Sequence, residues 1–297
     1  MSRAMCLSVF RAPIIAALCL ALLLAGGCSA LRIGYNQAAD LSYWWLDGYA
    51  DFSDEQTPRV RNALVDWLAW HRRTQLPDYA QLLSRAQAEM PANSTPQRVC
   101  EWWGMIGSRI ETGLDRAVPA LADVMLTLAP QQIQHIERRY AKRNEDFRND
   151  FLQADPTERL LASIKRAVER AEYFYGKLDE SQRERVARSV AASPFDAELW
   201  FAERLHRQQD ALQMMRRLSS GRADRDQAQA ALRAYADRWT RSPRESYRRY
   251  ADSLVQYNCA FAAALHNDSS AAQRQIAVQK LRGWESDARA LAADAAK

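Results

Sequence analysis

Four histidines are the first side chains to question for chemistry in this 297-residue chain: His71, His135, His206 and His266. A zinc or copper site needs several ligands converging on one point, and local versions show as His-x-x-x-His, Cys-x-x-Cys or His-Glu-x-x-His. None of these spacings occurs, and the four histidines fall on different predicted helices. No metal is expected, and His71, on the apolar stripe of its helix, reads as a core histidine. A Gly-x-Ser-x-Gly elbow, a phosphate-binding glycine loop and a dinucleotide fingerprint are also missing from the sequence, so no cofactor is expected. Carboxylates crowd "DFSDE" (51–55) and "NEDFRND" (144–150), where basic side chains are interleaved as on a solvated helix face.

Contact chemistry has better candidates. "WHRR" at 70–73, "ERRYAKR" at 137–143 and "SPRESYRRY" at 242–250 place arginine beside aromatic rings, a combination suited to carboxylates, phosphates or stacking. Arg72, Arg73, Arg138, Arg139, Arg248 and Arg249 form the candidate binding surface. The alternative is plain: arginines on the polar faces, aromatics turned inward.

The elements that must position these groups are helices. Glycine is scarce, at 10 residues, and apolar residues recur every three or four positions: Val60, Leu64, Trp67, His71; Leu160, Ile164, Val168, Ala171, Tyr175; Ala228, Leu232, Tyr235, Trp239; Tyr247, Tyr250, Leu254, Tyr257, Phe261, Leu265. The fold class is all-α, an elongated bundle of about ten amphipathic helices with no sheet. Helix starts are expected near residues 36, 54, 77, 95, 130, 156, 179, 194, 223, 243 and 270. "DPTE" from Asp155 supplies an N-cap and an N1 proline, "SPRE" from Ser242 reads as a capping box, and "SPFD" from Ser193 has the same spacing. Pro119 should kink or divide the segment from Thr95 to Leu128, and "SSGRAD" (219–224) is the best internal linker. In "ADLSYWWLDGYADF", Leu41, Trp44, Trp45 and Gly48, extended by Tyr49 and Phe52, share a helix face and are expected to pack inward as core. Exposure of the two tryptophans would point instead to binding or membrane contact.

One word recurs: "FSDEQ", "LAPQQ" and "LDESQ", ending at Gln56, Gln132 and Gln182, each followed four residues on by Val60, Ile136 or Val186. It resembles the LTxxQ signature of small periplasmic chaperones of the Spy and CpxP type, which are helical and cradle unfolded clients. The threonine is missing, and this chain is about twice as long. Read physically, the word is a capping box with glutamine at the third helical position.

The amino terminus addresses the chain. Arg3 and Arg11 precede the apolar run Ala12 to Gly27, too short for a membrane span, which needs roughly 20 residues. "LLAGGCS" then places small residues before Cys28 and resembles the lipobox of bacterial lipoproteins, which implies acylation of Cys28 and removal of residues 1–27. Ser29, rather than Asp, implies by the sorting pattern of such proteins the outer membrane, with the domain facing the periplasm. Domains follow: a signal peptide over 1–27, an anchor and tether over 28–38, and a periplasmic helical domain over 39–297. Without its leader the chain keeps 39 basic against 36 acidic residues, so no nucleic-acid partner is expected. Of five cysteines only Cys100 and Cys259 remain as thiols. In an oxidising periplasm the pair invites a disulfide, the alternative being two buried reduced thiols.

"YNQAADLSYWWLDGY", "PRVR" and "WHRRTQLPDYA", within Cys28 to Leu83, are similar to the start of a family of uncharacterised Gram-negative lipoproteins classed under a domain of unknown function. The resemblance implies localisation and fold and carries no catalytic residues. A non-enzymatic binding lipoprotein is therefore expected, held to the membrane by its lipid anchor, with envelope proteins or anionic envelope components as partners. The other class is an envelope hydrolase acting on peptidoglycan through two carboxylates about 5 to 10 Å apart.

Overall fold

The computed structural model describes residues 30–294, and every regular element among them is helical. Cys28 and the apolar leader lie outside the described residues. The chain divides after Ala38 into two units. Of the first, described from residue 30, the helix α1 (Ala30–Asn36) occupies most of what the sequence suggests is an extended tether.

In the second unit the helices are α2 (Ala38–Ala50, its first residue at the boundary), α3 (Gln56–Trp70), α4 (Leu76–Glu89), α5 (Pro96–Met125), α6 (Pro130–Phe151), α7 (Pro156–Tyr175), α8 (Glu180–Ala191), α9 (Ala197–Leu218), α10 (Arg225–Thr240), α11 (Glu245–Asn267) and α12 (Ala271–Asp294). Caps explain most starts. The side chains of Thr95, Asp155, Asp179, Asp196 and Asp224 each accept from an orphan backbone N–H in the first turn of α5, α7, α8, α9 and α10.

The structure refines three sequence expectations. The start expected near residue 77 is that of α4 at Leu76, but no loop precedes it: α3 runs into α4 through a π-helical turn, His71–Gln75, in which the Leu76 N–H donates to the His71 carbonyl. Pro77 has no N–H and its ring crowds the carbonyl four residues back; widening the preceding turn lets the chain pass without a break. Pro119 does not divide α5, which stays helical from Pro96 to Met125. "SPRE" is no capping box, because α11 begins at Glu245 and Ser242, buried before it, bonds the Arg244 N–H through its hydroxyl.

Two apolar clusters share α9. Val118 and Ala122 of α5 meet Met214 and Leu218 of α9 and Ala228 and Leu232 of α10. Leu128, just before α6, and Ile133 and Ile136, near its start, meet Ala211, Leu212 and Met215 of α9. A third cluster closes the other part of the unit, with Ala171, Leu178 and Val186 against Phe261 and Leu265 of α11. There Gly176, at φ +80°, ends α7 in a conformation that side chains rarely adopt. His71 and His266 are both buried. The His266 Nε2–H donates to the Ala92 carbonyl (2.7 Å) and Nδ1 accepts from the Tyr175 hydroxyl (3.0 Å). Burial pushes the pKa of both histidines below the usual value.

The recurring glutamines form two interlocked clamps. Gln56 and Gln132 face each other with both amides crossed: the Gln132 amide donates to Gln56 Oε1 (2.8 Å) and the Gln56 amide to Gln132 Oε1 (3.3 Å). Each oxygen also caps its own helix, accepting from the Ser53 and Ala129 N–H groups at 3.0 and 2.8 Å. Each amide also reaches the turn before the other's helix: Gln56 donates to the Thr127 carbonyl (2.9 Å), and Gln132 to the Asp51 carbonyl (2.8 Å). Gln182 repeats the device with Gln273, which the three-word pattern misses. The two amides exchange bonds of 2.9 Å, and their second donors go to the Asp268 and Lys177 carbonyls, both at 3.0 Å. All four side chains are buried.

Removing one partner leaves backbone carbonyls and a facing amide unsatisfied in a buried place, which costs about 1–3 kcal/mol. Gln132→Ala and Gln273→Ala should therefore each lower urea-unfolding stability by about 2–3 kcal/mol. Gln227→Ala, at a capping box of the same local form whose glutamine is exposed, should cost under about 1 kcal/mol. Equal losses at all three positions would show that local capping is the whole contribution.

The disulfide sits on neighbouring helices. Cys100 of α5 and Cys259 of α11 are bonded, their Cα atoms 5.4 Å apart across a sequence separation of 159. Cys259 is buried.

Candidate functional site

An apolar cleft of about 580 Å³ opens where α2, α6, α9 and α10 come together, and it is the site with the most distinctive chemistry. Its walls are aromatic: Trp45, Tyr49 and Phe52 from α2 and the turn after it, Tyr140 from α6, Trp200 from α9, Tyr235 and Trp239 from α10, and Tyr247 from α11. Aliphatic residues of the second core cluster, including Leu128, Ile136 and Met215, form the floor. This size and lining fall in the range of small-molecule sites.

The tryptophans of α2 require the largest correction. Trp44 and Trp45 are 77% and 58% exposed, and the buried ring of this helix is Tyr43, at 8%. At 100° per residue the face with Tyr43 cannot also carry Trp44. Tyr43 settles the orientation, since its hydroxyl pairs with Thr57 Oγ1 (2.8 Å) and the Arg61 guanidinium covers its ring at 3.8 Å. Trp45 instead packs on Tyr49 at the cleft rim, ring centroids 4.9 Å apart.

The polar part comes from one face of α9. Trp200, Glu203, Arg204, Arg207 and Gln208 follow the helical repeat, so all five line the cleft. Glu203 is 2% exposed. Its Oε1 accepts from Arg207 Nε at 3.0 Å and its Oε2 from Arg244 Nε at 2.9 Å. Burial by itself would raise the pKa of this carboxyl. Hydrogen bonds from Arg244 and Ser242 and the field of Arg207 outweigh it, so the group lies below the usual carboxylate range and is charged. Arg204 is pinned differently, its Nε donating to Asn144 Oδ1 (2.8 Å), while the Gln208 amide donates to the same oxygen. The Arg207 guanidinium carbon lies 5.0 Å from the Trp239 ring and 5.5 Å from Tyr247. Burial raises the Tyr235 phenol to about 12, which keeps it neutral.

None of the six arginines suggested by the sequence lines this cleft. Arg72 and Arg73 lie in the π-turn. Arg138 is exposed, and the Arg139 guanidinium covers the outer ring of Tyr49. Arg248 is used structurally, donating to the Ser242 and Pro243 carbonyls, and Arg249 pairs with Glu245 along the helix surface. The signal that could have found Arg204 and Arg207 is "WFAERLHRQ", in which an aromatic, an acid and two arginines share one helix face; in sequence a solvated face looks the same. Among the described residues no group of three His, Cys, Asp or Glu side chains could hold a metal ion, and no helix is long and apolar enough to cross a membrane.

Residues 48–248 match the model of a family of unknown function, DUF6279. The chain belongs to that family. No curated protein and no solved structure matches it. The DUF6279 region takes in every cleft residue named here except Trp45 and stops before Cys259 and Gln273, so one disulfide partner and half of the second glutamine clamp lie beyond it.

Proposed function

We propose that this chain is an outer-membrane lipoprotein, acylated on Cys28, whose helical domain faces the periplasm and works by binding, in a structural, assembly or chaperone-like role. The observation that carries the binding half is the aromatic cleft with a charged, hydrogen-bonded arginine face on α9. The anchor rests on the apolar leader and on the likeness of "LLAGGCS" to a lipobox. A disulfide between the two remaining cysteines suits an oxidising compartment and so supports export. Envelope proteins and anionic envelope components are the partners this reading favours, with no role for nucleic acid. The likeness to the LTxxQ chaperones adds less, since capping and clamping already account for the glutamines.

The second reading, peptidoglycan hydrolysis by a carboxylate pair, meets one specific difficulty. Glu203 and Asp210 line a common pocket, but Glu203 is held by two arginines and Asp210 is paired bidentately with Arg238 at 2.8 and 2.9 Å. A general acid needs a raised pKa, and arginine pairing acts the other way.

The test uses the full chain in Gram-negative cells. Cys28→Ala should abolish palmitate labelling, and labelling that persisted would refute the anchor. A photocrosslinking residue in place of Trp239, at the cleft rim, should capture an envelope molecule that one in place of exposed Lys165, outside the cleft, does not. Identical capture at both positions would remove the cleft from the binding reading.

A further inference from the structure

We infer that the cleft takes an amphiphile: an aliphatic chain among the aromatic walls, ended by an anionic oxyacid head, carboxylate or phosphate, bound by Arg204 and Arg207. The inference rests on the binding reading above and names the ligand class. Its first support is a matter of unused donors. Each guanidinium is fixed through Nε, Arg204 by Asn144 and Arg207 by Glu203, and the terminal nitrogens of both carry no protein hydrogen bond among the described residues. An arginine held at Nε has its rotamer set in advance and keeps its forked end for a ligand oxyanion.

Charge gives the second support. Arg204, Arg207 and Arg244 stand against one buried carboxylate, Glu203, while the neighbouring Asp210 and Arg238 cancel each other. Of these, Glu203, Arg204 and Arg207 line the cleft, an excess of one positive charge in an otherwise mainly apolar lining, and Arg244 pairs with Glu203 from outside the lining, so an anion is favoured over a cation. The third support is shape: at about 580 Å³ the cleft exceeds what an oxyanion alone requires, and its remaining surface is mainly apolar.

The experiment holds the full chain in neutral phosphatidylcholine nanodiscs and titrates it calorimetrically, against empty discs, with decanoate, decyl phosphate, decanol and decyltrimethylammonium. Decanoate and decyl phosphate should bind at least about tenfold more tightly than the alcohol and the cation, and their affinity should fall with added salt while that of decanol does not. The tighter of the two anions assigns carboxylate or phosphate as the natural head. Arg204→Gln should remove about tenfold of the anion affinity and leave decanol unchanged; helicity by circular dichroism confirms its fold, and the salt dependence of the native chain tests the same point without a variant. If decanol or the cation bound as tightly as decanoate, the anionic head would be overturned and the binding reading would stand. Absence of binding by all four would overturn the amphiphile inference, while the binding reading stands or falls separately on the capture at Trp239.

Discussion

The Cys100→Ser, Cys259→Ser double variant should unfold with about 5 kcal/mol less free energy than the native chain. The bond closes a loop with a sequence separation of 159, and the chain-entropy model assigns about 4.7 kcal/mol to a loop of about 100 residues, rising slowly with length. The loop contains all of α6 to α10, so cutting it frees the segments that build most of the cleft. Urea unfolding measures the effect. The midpoint should fall and the slope should rise, because an unfolded chain no longer tied at residues 100 and 259 exposes more surface. An unchanged midpoint, with both thiols alkylated in protein denatured without reductant, would mean that the bond does not form in the cell.

Glu203→Ala should be the most damaging single change at the cleft, at about 3–5 kcal/mol. The carboxylate is buried and receives hydrogen bonds from Arg207 and Arg244, and removing one member of a buried ion cluster leaves the others uncompensated. Glu203→Gln keeps the size and part of the bonding and should cost less. A double-mutant cycle with Arg244→Ala separates the coupling: the loss from Glu203→Ala should shrink once Arg244 is gone. The sign of the pH effect follows from the lowered carboxyl pKa. The stability that Glu203 adds is complete above the ordinary carboxylate value and is lost as pH falls through the lower folded-state value, so native protein and the Gln variant should converge in acid. A constant difference down to pH 3 would show that charge is not the reason for the loss.

Much of the scaffold is legible in the sequence, for a local reason. Asp155 followed by Pro156 starts α7, "SSGRAD" separates α9 from α10, Gln132 and Gln182 stand at the third positions of their helices, and Gln56, the first residue of α3, bonds Ser53 three residues before it, because caps and helical period act within four residues. Pro77 marks the start of α4 in the sequence, but the π-turn that joins it to α3 without a loop is not legible there, since a proline after a polar stretch fits either a fresh start or a π-turn. The two tryptophans of α2 were misread. Aromatic content suggested the buried face, whereas the Thr57 and Arg61 partners of Tyr43 set the rotation of the helix.

By itself, then, the sequence determined that the described residues are helical and where most of those helices begin. The tertiary structure alone decided that Gln56 finds Gln132 and Gln182 finds Gln273, that Cys100 meets Cys259, and that Arg204 and Arg207, rather than the arginine-aromatic words, face an apolar cleft. Each of those depends on partners dozens of residues away in sequence, and hence on how helices stack and rotate. Periodicity says that a helix has an apolar face without saying which neighbour will cover it.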